Sequence, residues 1–233
     1  MKLKTFFRAF LFATTLFTCS NSVEYSEAFK NETTGSYLYN QDDLIKIYYI
    51  DNTLHLNWRG GEMKPVAISE NEFFVADMYK KFHFVKHPET KERYLSVIDE
   101  DDANKTTYDY LKAPKGYKTP STNLEEGNYE EALKGYLEIK QQDSTSAFIN
   151  ERDFNRLGYK YFEEQNIEKA IEVFKINAIL HPTSANVYDS LGQVYLVSGD
   201  SLQAYKNYKK SLEFNNGNKR AKRFVETYKA SLD

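Results

Sequence analysis

At 233 residues, 41% apolar and 15% aromatic, the chain has material for one large core or two small ones, which excludes a disordered polymer. Its net charge of −3, with 31 Lys and Arg set against 34 Asp and Glu, argues against nucleic acid as a partner, because counterion release needs clustered cations. A single cysteine, Cys19, allows no intramolecular disulfide, so stability must come from packing.

The N-terminus places Lys2, Lys4 and Arg8 before an apolar run from Ala9 to Phe17, the charged and apolar regions of an export signal over residues 1–22. The run is too short for a permanent membrane span. Cys19 falls at the cleavage point, and the segment resembles a bacterial lipoprotein signal in which that cysteine is lipidated and anchors the chain. Thr18 departs from the small residue usual there. Cleavage after Ser20 or Ser22, giving a soluble exported protein, stays open beside it. Either way the expected location is outside the cytoplasm, as a periplasmic protein or a membrane-anchored lipoprotein.

From Gly35 to about Ala113 apolar residues alternate with polar ones in short runs, which predicts antiparallel strands over residues 34–113. Leu44–Ile50 and Thr53–Trp58 read as a hairpin about Asp51-Asn52. Lys64–Ser69, Glu72–Asp77, Lys81–Lys86, Arg93–Asp99 and Thr107–Leu111 follow, a meander that would close into a barrel or half-barrel. Leu54, Leu56 and Trp58 share one face and should meet Phe82 and Phe84 in its interior. Trp58 is the residue that would line a cavity there, should one exist, although the end of an apolar face is more often core. His55 and His83 could face outward near Asp99 or Asp101, but no spacing requires a metal and none is expected.

Pro114, Gly116 and Pro120 mark residues 114–122 as a linker. Helical periodicity begins at Asn128–Gln142 and governs residues 123–233. Phe154, Leu157, Gly158, Tyr161, Ala170 and Phe174 recur as Tyr188, Leu191, Gly192, Tyr195, Ala204 and Tyr208, each 34 residues later. This order and period resemble the tetratricopeptide repeat, implying stacked helix pairs over Glu151–Ser184 and Ala185–Asn218. Gly158 and Gly192 are expected to let the second helix pack closely, with Ala170 and Ala204 meeting them. Asn128–Gln142 matches the second half of a preceding repeat, with four extra residues placed around Asp143 to Ser146. A last helix, Lys219–Leu232, should cap the stack through Ala221, Phe224, Val225, Tyr228 and Leu232. Its Lys219, Arg220, Lys222 and Arg223 read as a solvated basic face.

No Gly-x-Ser-x-Gly, Ser-x-x-Lys, glycine-rich phosphate loop or His-Glu-x-x-His occurs, so no catalytic residue and no cofactor is assigned. The expected function is binding. The repeat resemblance assigns the inner groove to Arg152, Asn155, Tyr159, Phe162 and Glu163 of one repeat and Asp189, Gln193 and Leu196 of the next. Those positions lack the Lys and Asn pattern with which some such repeats clamp a peptide carboxylate.

Arg156-Leu157-Gly158-Tyr159, Ala170–Asn177 and Ser184–Gly192 also resemble the C-terminal repeats attached to bacterial beta-lactamase-type serine hydrolases, and Ile68-Ser69-Glu70-Asn71-Glu72-Phe73-Phe74 is similar to the lipocalin-like domain of that family. The family's catalytic serine and lysine belong to a domain with no counterpart here. The resemblance therefore implies an accessory module without the hydrolase activity. The expectation is an α+β chain, a β meander followed by a repeat solenoid, that binds a protein or peptide at the bacterial cell envelope. A small-molecule site in the strand domain (lipid, sugar or cell-wall fragment) and a role as accessory subunit of a serine hydrolase are the alternatives.

Overall fold

A computed structural model describes residues 23–102 and 105–231. Residues 1–22, expected to be an export signal with Cys19, and Leu232, expected in the last helix, lie outside these residues. A short helix α1 (Glu27–Thr33), capped by Ser26 accepting from the Phe29 amide, precedes the strands. Four strands, β1 (Gly35–Asn40), β2 (Asp43–Ile50), β3 (Thr53–Trp58) and β4 (Gly61–Met63), form one antiparallel sheet in chain order. Five more, β5 (Val66–Ala67), β6 (Glu72–Val75), β7 (Lys80–Lys86), β8 (Arg93–Val97) and β9 (Tyr110–Leu111), form a second.

The run expected as one strand over Lys64–Ser69 is broken at buried Pro65, where the missing amide ends one ladder and the chain passes to the other sheet. The two sheets meet again at a single bridge between Tyr37 and Lys112. The strands are thus antiparallel, as the alternation indicates, but they do not close into a barrel. Inward positions fill the space between the sheets. Tyr37, Ile45, Leu56, Phe82 and Leu95 are fully buried, and Phe73, Phe84 and Leu54 join the same cluster, with Tyr25 and Phe29 from the α1 region against it. Each such side chain contributes roughly 1.5–3 kcal/mol.

Pro120, read from sequence as a helix breaker in the linker, is instead the first residue of α2 (Pro120–Glu126), with Thr119 as N-cap. Proline suits that position because its missing N–H has no helical partner there. With α3 (Tyr129–Gln142) it makes a helix pair, followed by α4 (Glu151–Glu163) with α5 (Ile167–Leu180), α6 (Ala185–Val197) with α7 (Ser201–Phe214), and α8 (Lys219–Ala230). The helical half is a tetratricopeptide-like stack. The longer connection between α3 and α4 contains a 3-10 turn over Ala147–Ile149.

The two full pairs each close on a glycine, and the nearest atoms to it belong to an aromatic ring. A Cβ on Gly158 would lie 2.6 Å from Phe174 Cζ, and one on Gly192 2.9 Å from Tyr208 Cδ1. Ala170 and Ala204 are fully buried on the same second helices. A second repeated device is polar. Asn177 Nδ2 donates to the Glu151 carbonyl at 3.1 Å, and 34 residues on Ser211 Oγ donates to the Ala185 carbonyl at 2.8 Å. Each bond ties the later part of a second helix to the start of its own first helix.

The strand and helical parts are joined by few bonds. The Ser121 amide donates to Asp42 Oδ1 at 2.8 Å, and Gln41 Nε2 donates to Gln142 Oε1 at 2.8 Å. Around them a cleft of about 750 Å³ is lined by Asp42, Asp43, Lys46, Arg59 and Lys118, a mixed-sign solvated seam. Burial pushes the Asp42 carboxyl above its ordinary 3.8 despite the stabilising bonds from Ser121 and Thr119.

Two predictions follow from these contacts. Gly158→Ala should lower the unfolding free energy in urea by about 1–3 kcal/mol through overpacking. Adding Phe174→Leu should recover part of that loss, a coupling readable in a double-mutant cycle. A raised folded pKa at Asp42 means stability present below 3.8 is lost as pH rises through the folded value. Asp42→Asn, which still accepts from Ser121, should therefore flatten the pH dependence of stability on the alkaline side of 3.8, measured by denaturation across that range.

Candidate functional site

The two full repeats are in register, so residues 34 apart occupy matching points on α4 and α6: Asn155 with Asp189, Tyr159 with Gln193, Phe162 with Leu196. The offset continues into α8. Arg223 and Thr227 follow Asp189 and Gln193, and Arg220 stands two periods after Arg152. Three helices therefore present one row of side chains.

The polar members of this row bond to one another. Ser190 Oγ donates to Asn155 Oδ1 at 2.9 Å, and Tyr159 Oη lies 3.1 Å from Ser190 Oγ and 3.2 Å from Gln193 Oε1. Arg220 Nη1 donates to that same Gln193 oxygen at 2.9 Å, and its Nη2 pairs with Asp189 Oδ2. Asn218 Nδ2 completes the Asp189 carboxylate with a 2.6 Å bond to Oδ1. The Arg220 guanidinium also stands 5.9 Å from the centroid of the Tyr208 ring, whose phenol pKa is raised by burial. The bonds link α4 to α6 and α6 to α8 directly, without passing through α5 or α7.

Of the residues assigned to the groove from sequence, Asn155, Tyr159, Asp189 and Gln193 are thus brought into one network. Arg152 and Glu163 are exposed outside it. Phe162 is half-buried, 6.4 Å from the Tyr159 ring in an edge contact. Leu196 and its neighbour Val197 are 38% and 60% exposed, an apolar edge left open beside a satisfied polar row. Sequence reasoning missed Ser190, Asn218 and Arg220. Carrying the 34-residue offset into the last helix finds Arg220, whereas the basic-face reading assigned it to solvent.

Trp58 packs its ring 4.8 Å from Tyr39 and 4.6 Å from the Arg59 guanidinium carbon, and its Nε1 donates to Asp43 Oδ2 at 3.2 Å. His55 and His83 stand on β3 and β7, in different sheets. Among the described residues no group of three or more His, Cys, Asp and Glu is placed to hold a metal ion, and no helix is long and apolar enough to cross a membrane. The α4–α6–α8 row offers amide, carboxylate and guanidinium groups with an apolar margin. Its one buried hydroxyl, Ser190, donates to an amide oxygen and faces no base. Such a set suits recognition of a backbone and side chains.

No protein-family model matches the chain, and no curated protein sequence matches it. Among solved structures, the first tetratricopeptide domain of Spaghetti (RPAP3) bound to an HSP90 peptide is 18% identical, over 48% of this chain and 86% of that one, at a TM-score of 0.34. The type III secretion chaperone SycD of Yersinia enterocolitica, in complex with a peptide of the translocator YopD, is 16% identical over 49% and 89%, also at 0.34. The Sgt2 tetratricopeptide domain of Aspergillus fumigatus is 22% identical over 48% and 74%, again at 0.34.

The network predicts a local effect. Asp189→Ala removes the carboxylate that holds both Asn218 and Arg220, at a cost of about 1 kcal/mol for half-exposed charged bonds. Amide hydrogen exchange should quicken in α8 and the turn before it, while α4 and α5 keep their protection.

Proposed function

We propose that this chain is a non-enzymatic, exported accessory module that holds a segment of a protein or peptide partner on its α4–α6–α8 face at the bacterial cell envelope. The observation that carries this reading is the row itself. Its polar groups are fixed by mutual hydrogen bonds, so little ordering entropy remains to be lost on binding, and its apolar margin is half-buried at Phe162 and open at Leu196 and Val197. Export is supported by the charged and apolar pattern of residues 1–22, and an anchor by Cys19 within it. A serine hydrolase that lacks this region is a partner the sequence resemblance suggests.

A small ligand inside the strand domain draws no support from an interior occupied by Tyr37, Phe73, Phe82 and Phe84. The test is capture in cells. A photo-crosslinking residue at position 196 should yield a defined adduct in the envelope fraction, and Tyr159→Ala should weaken it several-fold while the purified variant stays folded by circular dichroism. Adduct formation indifferent to Tyr159→Ala, or no adduct from position 196 together with normal cell behaviour of the variant, would sink the reading.

A further inference from the structure

The charges are unevenly distributed. Residues 201–231 carry eight Lys and Arg against Glu213 and Glu226, in a chain whose net charge is −3, so the remainder is strongly acidic. Four of the cations, Lys219, Arg220, Lys222 and Arg223, crowd the first turn of α8, which holds no acidic residue. A helix N-terminus disfavours positive charge, so their placement works against the helix that carries them. Arg220 pairs with Asp189, whereas no ion pair holds Lys219, Lys222 or Arg223 among the described residues. By the 34-residue offset Arg223 falls on the same row as Asn155 and Asp189.

The row therefore has two unlike ends. Its cationic end lies at the first turn of α8. Its apolar end, Phe162 with Leu196 and Val197, lies in the last turns of α4 and α6. The seven positions from the place of Arg223 to the place of Leu196 rise about 10 Å along a helix, and the step from α8 to the neighbouring α6 adds about 8–10 Å sideways, so the two ends stand about 14 Å apart. An extended chain covers that in about four to five residues.

We infer that the segment bound on this face is an acidic peptide, with an Asp or Glu residue against Arg223 and an apolar side chain about four to five residues away against Phe162 and Leu196. The inference rests on the binding reading above and adds the chemistry of the partner. A carboxylate already satisfies the guanidinium of Arg220, and a peptide carboxylate repeats that pairing at Arg223 one turn further on. Duplex nucleic acid fits less well, because the acidic remainder repels an extended polyanion. An anionic bilayer fits less well too, because the outward neighbours of these cations on α8 are Glu226, Thr227 and Lys229, and α8 exposes no large apolar residue to enter it.

The experiment measures fluorescence anisotropy of the whole mature chain with three labelled peptides of about ten residues: one with a run of Asp and Glu followed at four residues by Leu, one with Lys replacing the acids, and one with Ala replacing Leu. The acidic peptide should bind, the Lys peptide should not, and the Ala peptide should bind several-fold more weakly. Binding should weaken as salt is raised through physiological strength. Arg223→Glu should weaken it several-fold, while Lys115→Glu, on the linker, leaves it unchanged. Equal binding of acidic and Lys peptides would overturn the acidic assignment, as would tighter binding of a labelled oligonucleotide or phosphatidylglycerol vesicles. Silence from all three peptides overturns it as well. In any of these cases a defined adduct from position 196 would leave the broader binding reading standing, and its absence together with normal cell behaviour of Tyr159→Ala would remove both.

Discussion

The helical half depends on one steric condition: at each full helix pair an aromatic ring occupies the space that a side chain would need. The tip of the Phe174 ring stands at Gly158 and one side of the Tyr208 ring at Gly192. Glycine costs about 1 kcal/mol in a helix interior relative to alanine. The buried ring repays that by removing a large apolar surface from water. Because the two contacts are 34 residues apart, the two pairs adopt one geometry, and the side chains of α4 and α6 come into line as a consequence. The shared face is a by-product of the packing rule.

Much of this was legible in the sequence because repetition is a strong signal. The spacing of Leu157, Gly158 and Tyr161 against Leu191, Gly192 and Tyr195 fixes the helix pairs, and the alternation of Leu54, Leu56, Phe82 and Phe84 fixes which strand faces turn inward. Other features escaped for physical reasons. Pro120 reads as a breaker in isolation, and only the capping hydroxyl of Thr119 makes it a helix start. The helix α1 is seven residues long, too short for a periodic pattern, and is held by tertiary bonds such as Tyr37 Oη to the Thr33 carbonyl at 2.8 Å. The rings of Phe174 and Tyr208, the nearest neighbours of the two glycines, were not singled out because small residues such as Ala170 and Ala204 are the ones that suggest close approach.

The site was partly readable for the same reason. The period locates Asn155, Tyr159, Asp189 and Gln193 on one face, but it does not say whether such groups are free or already paired. Ser190 mediates between Asn155 and Tyr159 from a buried position that sequence assigns to packing. Arg220 is a surface cation by composition and a groove residue by register, and register prevails because Asp189 lies one helix away to receive it. A polar network across helices is visible only when the third dimension is known.

The last helix has one further consequence. A stack of like units ends in a helix with no further unit against it, and two copies could meet there tail to tail. In this chain the terminal face is a helix densely studded with Lys and Arg, and copies meeting through that face would bring like charges together without solvent between them. The same cations that would draw in an acidic segment thus disfavour a tail-to-tail pairing of two copies.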